Sequence, residues 1–126
     1  MKKFKYIKSI NEHSNQKLDL CRIIKAENIS DIDFDNLGIH WTPTPEKAVL
    51  KINPDNEPSF WIYAIVDKSS IWDDYTPDDV KHHPGLETNQ EIGEFEVTLR
   101  PGSVVDVTEV YDEDQNLVMG DFKAKV

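Results

Sequence analysis

The chain reads as a mixed α+β domain, and three observations predict that class. Segments of extended pattern recur with too little chain between them for regular crossover helices. Two Thr-Pro pairs, at 44–45 and 76–77, carry the signals of short helix starts. The run 59–66 (SFWIYAIV) is almost continuously apolar, as a strand covered on both faces should be.

The elements follow in order. Over 18–25, Leu18, Leu20, Arg22 and Ile24 alternate with Asp19, Cys21, Ile23 and Lys25, the period-2 pattern of a strand. Arg22 thereby falls on an otherwise apolar face, where a buried cation needs a partner. The acidic loop after it, with Asp31, Asp33 and Asp35, offers one, through a structural ion pair. Residues 38–42 form a short extended segment. A helix opens after it, with Thr44 as N-cap, Pro45 in the first turn and Glu46 at the positive end of the dipole. It carries Ala48, Val49 and Ile52 and stops near Asn53-Pro54.

Residues 59–66 make the central strand, 67–71 a turn or short strand. Thr76-Pro77-Asp78-Asp79 opens a second short helix, closed by Pro84-Gly85. A polar loop at 86–93 leads to a strand over 94–100. In it Phe95, Val97 and Leu99 face the core, and Glu94, Glu96, Thr98 and Arg100 face away. After the Pro101-Gly102 turn come a strand at 103–111 and a last one at 117–126. The expectation is one domain over 1–126 with about six mainly antiparallel strands in two packed sheets and two or three short helices.

Composition bounds the function. Hydrophobic residues make up 38% of the 126, enough for one core. The formal charge of -10 repels nucleic-acid phosphates and anionic membranes, and favours a basic partner surface or a small ligand held by a few local cations. No stretch approaches the roughly twenty apolar residues of a membrane span. The start, Met1-Lys2-Lys3-Phe4, is basic without a following apolar run, unlike a secretory signal. A cytoplasmic location is expected. The single cysteine, Cys21, excludes an intrachain disulfide and reads as a small packed hydrophobe. His82-His83, near Asp73, Asp74, Asp78 and Asp79, lacks metal-ligand spacing and reads as a solvated surface.

The sharpest feature is Glu94-x-Glu96. On one strand face two carboxylates stand roughly 6–7 Å apart, and in a cleft this raises the pKa of one of them. The run Glu94-Phe95-Glu96-Val97-Thr98-Leu99-Arg100-Pro101-Gly102-Ser103 resembles the catalytic segment of arginine-type mono-ADP-ribosyltransferases. That family carries, in order, an arginine on an early strand, a Ser-Thr-Ser-like segment leading into a helix, and E-x-E before a Pro-Gly-Ser/Thr turn. Here Arg22 stands in Leu20-Cys21-Arg22-Ile23, and Thr42-Pro43-Thr44 follows Gly38-Ile39-His40-Trp41. The chain departs from the pattern in its central Pro43, in Ile23 after the arginine, and in having no nearer aromatic than Tyr75 in the loop before Glu94.

The resemblance implies an ADP-ribosyltransferase-like fold and a transferase that uses NAD as substrate. ADP-ribose would pass to a protein side chain, by resemblance an arginine, in the setting of a toxin or a phage-type modifier of host machinery. It implies Arg22 at the NAD phosphates, Glu96 at the ribose, Glu94 orienting the acceptor and Thr42 bracing the site. Trp41, His40 and Thr44 are further candidate NAD contacts, although each has a structural role open to it in the core, in packing or as a helix cap. The alternative is a non-catalytic acidic module on the same fold, occupying a basic protein site and mimicking nucleic-acid charge.

Overall fold

The computed structural model describes residues 16–74, 76–83 and 96–126. They form β1 (Lys17–Lys25), β2 (His40–Trp41), α1 (Pro45–Ile52), β3 (Ser59–Asp67), α2 (Pro77–His82), β4 (Val97–Thr98), β5 (Val104–Asp112) and β6 (Leu117–Lys125). Short 3-10 turns lie at Ile29–Asp31 and Lys68–Ser70. The main sheet has the order β1-β3-β5-β6, antiparallel throughout, and β2 pairs with β4 in a second, two-stranded sheet. This is an α+β arrangement of antiparallel strands in two sheets with two helices.

The apolar run at 59–66 is central, as its composition requires: β3 lies between β1 and β5 with both faces covered. On one face Leu20, Phe60, Ile62, Ala64, Val107 and Val110 build the main core, which Trp41 of the small sheet and Leu99, just after it, join. Burying each such aliphatic chain contributes roughly 1.5–3 kcal/mol relative to leaving it in water. On the other face Cys21, Ile23, Tyr63 and Tyr111 form a smaller cluster. Helix α1 covers it with Val49 and Ile52. In α1, Pro45, Ala48, Val49 and Ile52 share one face by their i, i+3, i+4, i+7 spacing.

Cys21 and Thr42 exchange both backbone hydrogen bonds, each 2.8 Å, as an isolated antiparallel bridge. That pair stitches the small sheet to β1. It also places the segment 38–42 alongside Arg22.

A β-bulge shifts the β3–β5 register, which runs Tyr63↔Glu109 and then Ala64↔Val107. Thr108 is the extra residue, and its hydroxyl donates to the Tyr63 carbonyl at 3.3 Å. One inserted residue reverses the side-chain alternation, so Val107 and Val110, three apart, both reach the main core.

Of the strand expected over 94–100, residues 94 and 95 lie outside the described residues, and the rest is shorter than its alternation predicts. Only Val97 and Thr98 form β4. Leu99 continues that register by donating to the Ile39 carbonyl at 2.8 Å and also bridges Ile71, and Arg100 donates to the Ser70 carbonyl at 2.8 Å. The backbone of 97–100 is thus divided between two neighbours. Thr44 occupies the N-cap of α1 without a side-chain capping bond. The Thr42 hydroxyl accepts the Thr44 N–H at 3.0 Å instead. At α2 the capping box is complete: Thr76 accepts from Asp79 N, and Asp79 accepts from Thr76 N. No helix among the described residues is long and apolar enough to cross a membrane.

Candidate functional site

Arg22 leaves β1 opposite Ile62 and reaches the chain segment that precedes β2. Its Nε donates to the Leu37 carbonyl and its Nη1 to the His40 carbonyl, the latter at 2.7 Å. The acidic loop is not its partner; two main-chain oxygens are. Gly38 lies between those acceptors with φ +94°. A side chain there would meet the guanidinium, since a Cβ would stand 2.7 Å from Nη2. The local sequence therefore folds into a seat for one cation. Burial lowers the Arg22 pKa, and the charge of Glu96 opposes that by raising it.

Glu96 immediately precedes β4, and its side chain is 13% exposed. Burial raises its pKa above the ordinary carboxylate value, and the Arg22 charge pulls it down. The two groups sense each other through space. Between them stands His40. Its carbonyl holds Arg22, and its imidazole Nδ1 lies 3.6 Å from Glu96 Oε2.

A pocket of about 380 Å³ opens beside this group. Arg22, Asn36, Gly38, His40, His82 and His83 contribute to its wall. Its volume lies in the range of small-ligand clefts, roughly 300–1,000 Å³. Glu96 is not part of that wall; it meets His40, which is. The wall is rich in donors: one guanidinium, three imidazoles and an amide. Such a wall suits an anionic or phosphate-bearing ligand.

Of the residues expected at the site, Arg22, His40 and Glu96 come together. Trp41 does not present its ring: it is 1% exposed in the main core, and its indole N–H donates to the Gly38 carbonyl at 2.9 Å. That bond makes it a support for the Gly38 turn rather than a stacking platform. Thr42 is 3% exposed, with its hydroxyl turned to Thr44, so it too shapes the chain instead of facing the pocket. Thr44 belongs to the same turn. Glu94 lies outside the described residues.

Sequence reasoning missed the Gly38 seat and the place of His82 and His83. A lone glycine between Leu37 and an extended segment was the available signal for close backbone approach. The two histidines attract a metal reading, yet no group of three or more His, Cys, Asp or Glu among the described residues is placed to hold a metal ion. His83 instead packs edge-on against Trp72, ring centroids 5.3 Å apart. This contact fixes the end of α2 at the pocket wall.

No family model, no curated protein and no solved structure matches the chain.

Proposed function

We propose that the chain is a mono-ADP-ribosyltransferase that uses NAD to modify a protein side chain, by resemblance an arginine. The observation that carries the reading is that Arg22 and Glu96, 74 positions apart in sequence, both meet His40: Arg22 on its carbonyl, beside a pocket that Arg22 and His40 line, and Glu96 at 3.6 Å from its imidazole. The motif order supports it, and the charge of -10 favours a target with a basic surface.

The chemistry follows from the groups. With Nε and Nη1 bound to carbonyls, the guanidinium is held in one orientation, and its Nη2 edge remains for the NAD pyrophosphate. In the transfer, the bond between ribose C1′ and the nicotinamide nitrogen breaks, and its electron pair leaves with nicotinamide. Positive charge builds on the ribose as this happens. A carboxylate beside the ribose stabilises that charge and accepts from a hydroxyl, the role given to Glu96. The acceptor nitrogen of the target then bonds C1′ and gives up a proton. Glu94 would orient that nitrogen and take its proton.

A second reading has its own observation. Arg22, Trp41 and Thr42 all make structural bonds within the fold, so the constellation also serves a non-catalytic acidic module. One experiment separates the two. Candidate targets are incubated with the protein and NAD and weighed intact. Mass added as ADP-ribose, lost in Glu96→Gln, supports the enzyme. No added mass, with no NAD-induced rise in melting temperature, leaves the acidic module.

A further inference from the structure

We propose that His40 is the positioning residue for Glu96: its protonated imidazole holds the carboxylate, and its neutral form releases it toward the pocket.

The register of the small sheet sets up the pair. His40 lies opposite Thr98 and Trp41 opposite Val97 in antiparallel pairing. Glu96 is two residues from Thr98, so it stands diagonal to His40 on the same face, within reach of a long side chain. The 3.6 Å separation of Nδ1 and Oε2 follows from that register. The same residue receives Arg22 on its carbonyl at 2.7 Å. The main chain of His40 thus fixes the cation of the site, while its side chain approaches the anion. Trp41, locked in the core next to it, holds this stretch of backbone in place.

At this distance a neutral imidazole exerts little pull on a carboxylate, whereas an imidazolium forms an ion pair with it. Both side chains are mostly shielded, 29% and 13% exposed, so water and salt screen the attraction less than at an open surface. Among the described residues, charged and titratable groups near His40 come from three elements. Glu96, before β4, brings its carboxylate to 3.6 Å from the imidazole. Arg22 of β1 binds its carbonyl, and His82 and His83 at the end of α2 line the same pocket. Among the described residues, the carboxylate of Glu96 and the guanidinium of Arg22 are thus set on either side of His40, so the charge on its imidazole decides how strongly Glu96 is held.

The release step rests on the proposed function, in which Glu96 acts at the NAD ribose. A carboxylate held by imidazolium has an oxygen engaged and is less available to a ribose hydroxyl. NAD-dependent transfer should therefore rise as His40 loses its proton.

The test has two arms. In the first, the His40 ring is titrated by NMR in the wild type and in Glu96→Gln, with its resonance identified by its absence from His40→Gln or, should that fold poorly, from His40→Asn. The expected result is a lower titration midpoint once Glu96 is neutral. An unchanged midpoint overturns the proposal, whatever the activity. In the second, NAD turnover is followed against pH. The wild type should lose turnover on the acidic side in step with the His40 titration, and His40→Gln should keep several-fold more of its own maximum there. Parallel acid limbs in both proteins overturn the release step. A shifted midpoint with no turnover in any variant at any pH overturns the enzymatic reading and the release step, and upholds the pairing.

Discussion

Arg22 packs against Gly38 so closely that the glycine has no room for a side chain: a Cβ there would lie 2.7 Å from Nη2 and 3.0 Å from Cζ. The same glycine sits at φ +94°, a conformation that costs other residues about 1–3 kcal/mol. Gly38→Ala should therefore destabilise the fold by about 2 kcal/mol or more and push the guanidinium from its carbonyl acceptors. Gly102→Ala is the control, because Gly102 has a similar φ of +83° with nothing within 4 Å of a Cβ. Denaturant melts should show the larger loss for Gly38→Ala. Only that variant should lose an NAD-induced thermal shift.

The bulge at Thr108 makes a second glycine necessary. A Cβ at Gly120 would stand 2.7 Å from the Thr108 carbonyl oxygen, which is backbone and cannot swing aside. Gly120→Ala should cost about 1–3 kcal/mol, the range for inserting atoms into a filled site. Chemical denaturation should show a lower midpoint. Because Gly120 lies on β6, away from Arg22 and Glu96, any NAD binding should be retained under conditions where the variant is folded.

Cys21 is 1% exposed within the second core cluster, beneath α1, and burial together with the Glu46 charge raises its thiol pKa. A protonated, enclosed thiol is a poor nucleophile. The native protein should resist a thiol-labelling reagent at neutral pH, and full labelling should appear only across the unfolding transition. Rapid native labelling would mean that α1 opens locally away from β1.

Much of the fold was legible because its cues are local. The alternation over 18–25 marked β1 to within one residue, the uninterrupted run at 59–66 marked the central strand, and Thr-Pro pairs marked both helix starts. The bulge was not legible, since the spacing of Val105, Val107 and Val110 fits no single period until Thr108 is known to be unpaired. The extent of β4 was hidden for a similar reason. Its side chains alternate through Arg100, but its backbone bonds are taken by Ile39 and Ser70. At the site, Arg22 stood out as a cation on an apolar strand face, and Glu96 through the resemblance of the segment that carries it. Charge patterning pointed Arg22 to aspartates in the following loop, whereas the acceptors are main-chain carbonyls, which every residue carries and no pattern reveals. The same blindness affected Trp41 and Thr42. A residue beside a site looks the same in sequence whether it faces the ligand or the core.

Glu96 should show the opposing demands of stability and chemistry. Its carboxyl is mostly shielded, and burial raises its pKa more than the Arg22 charge lowers it. A folded-state pKa above the unfolded one means that the native state binds the proton more tightly. The contribution of Glu96 to stability is then fully present below the ordinary carboxylate range and is lost as pH rises through the folded value. Glu96→Gln keeps the shape and removes the charge. At neutral pH it should melt above the wild type, and the gap should close on acidification through the carboxylate range. A charge retained at a cost to the fold fits one used by chemistry. Accordingly the same variant should lower NAD-dependent transfer roughly 100-fold or more, as loss of a stabilising group at a developing charge does elsewhere. Melting curves at several pH values and intact-mass transfer assays check the two halves. A variant less stable than the wild type at neutral pH would show that the attraction of Arg22 outweighs burial, making Glu96 a structural ion-pair member.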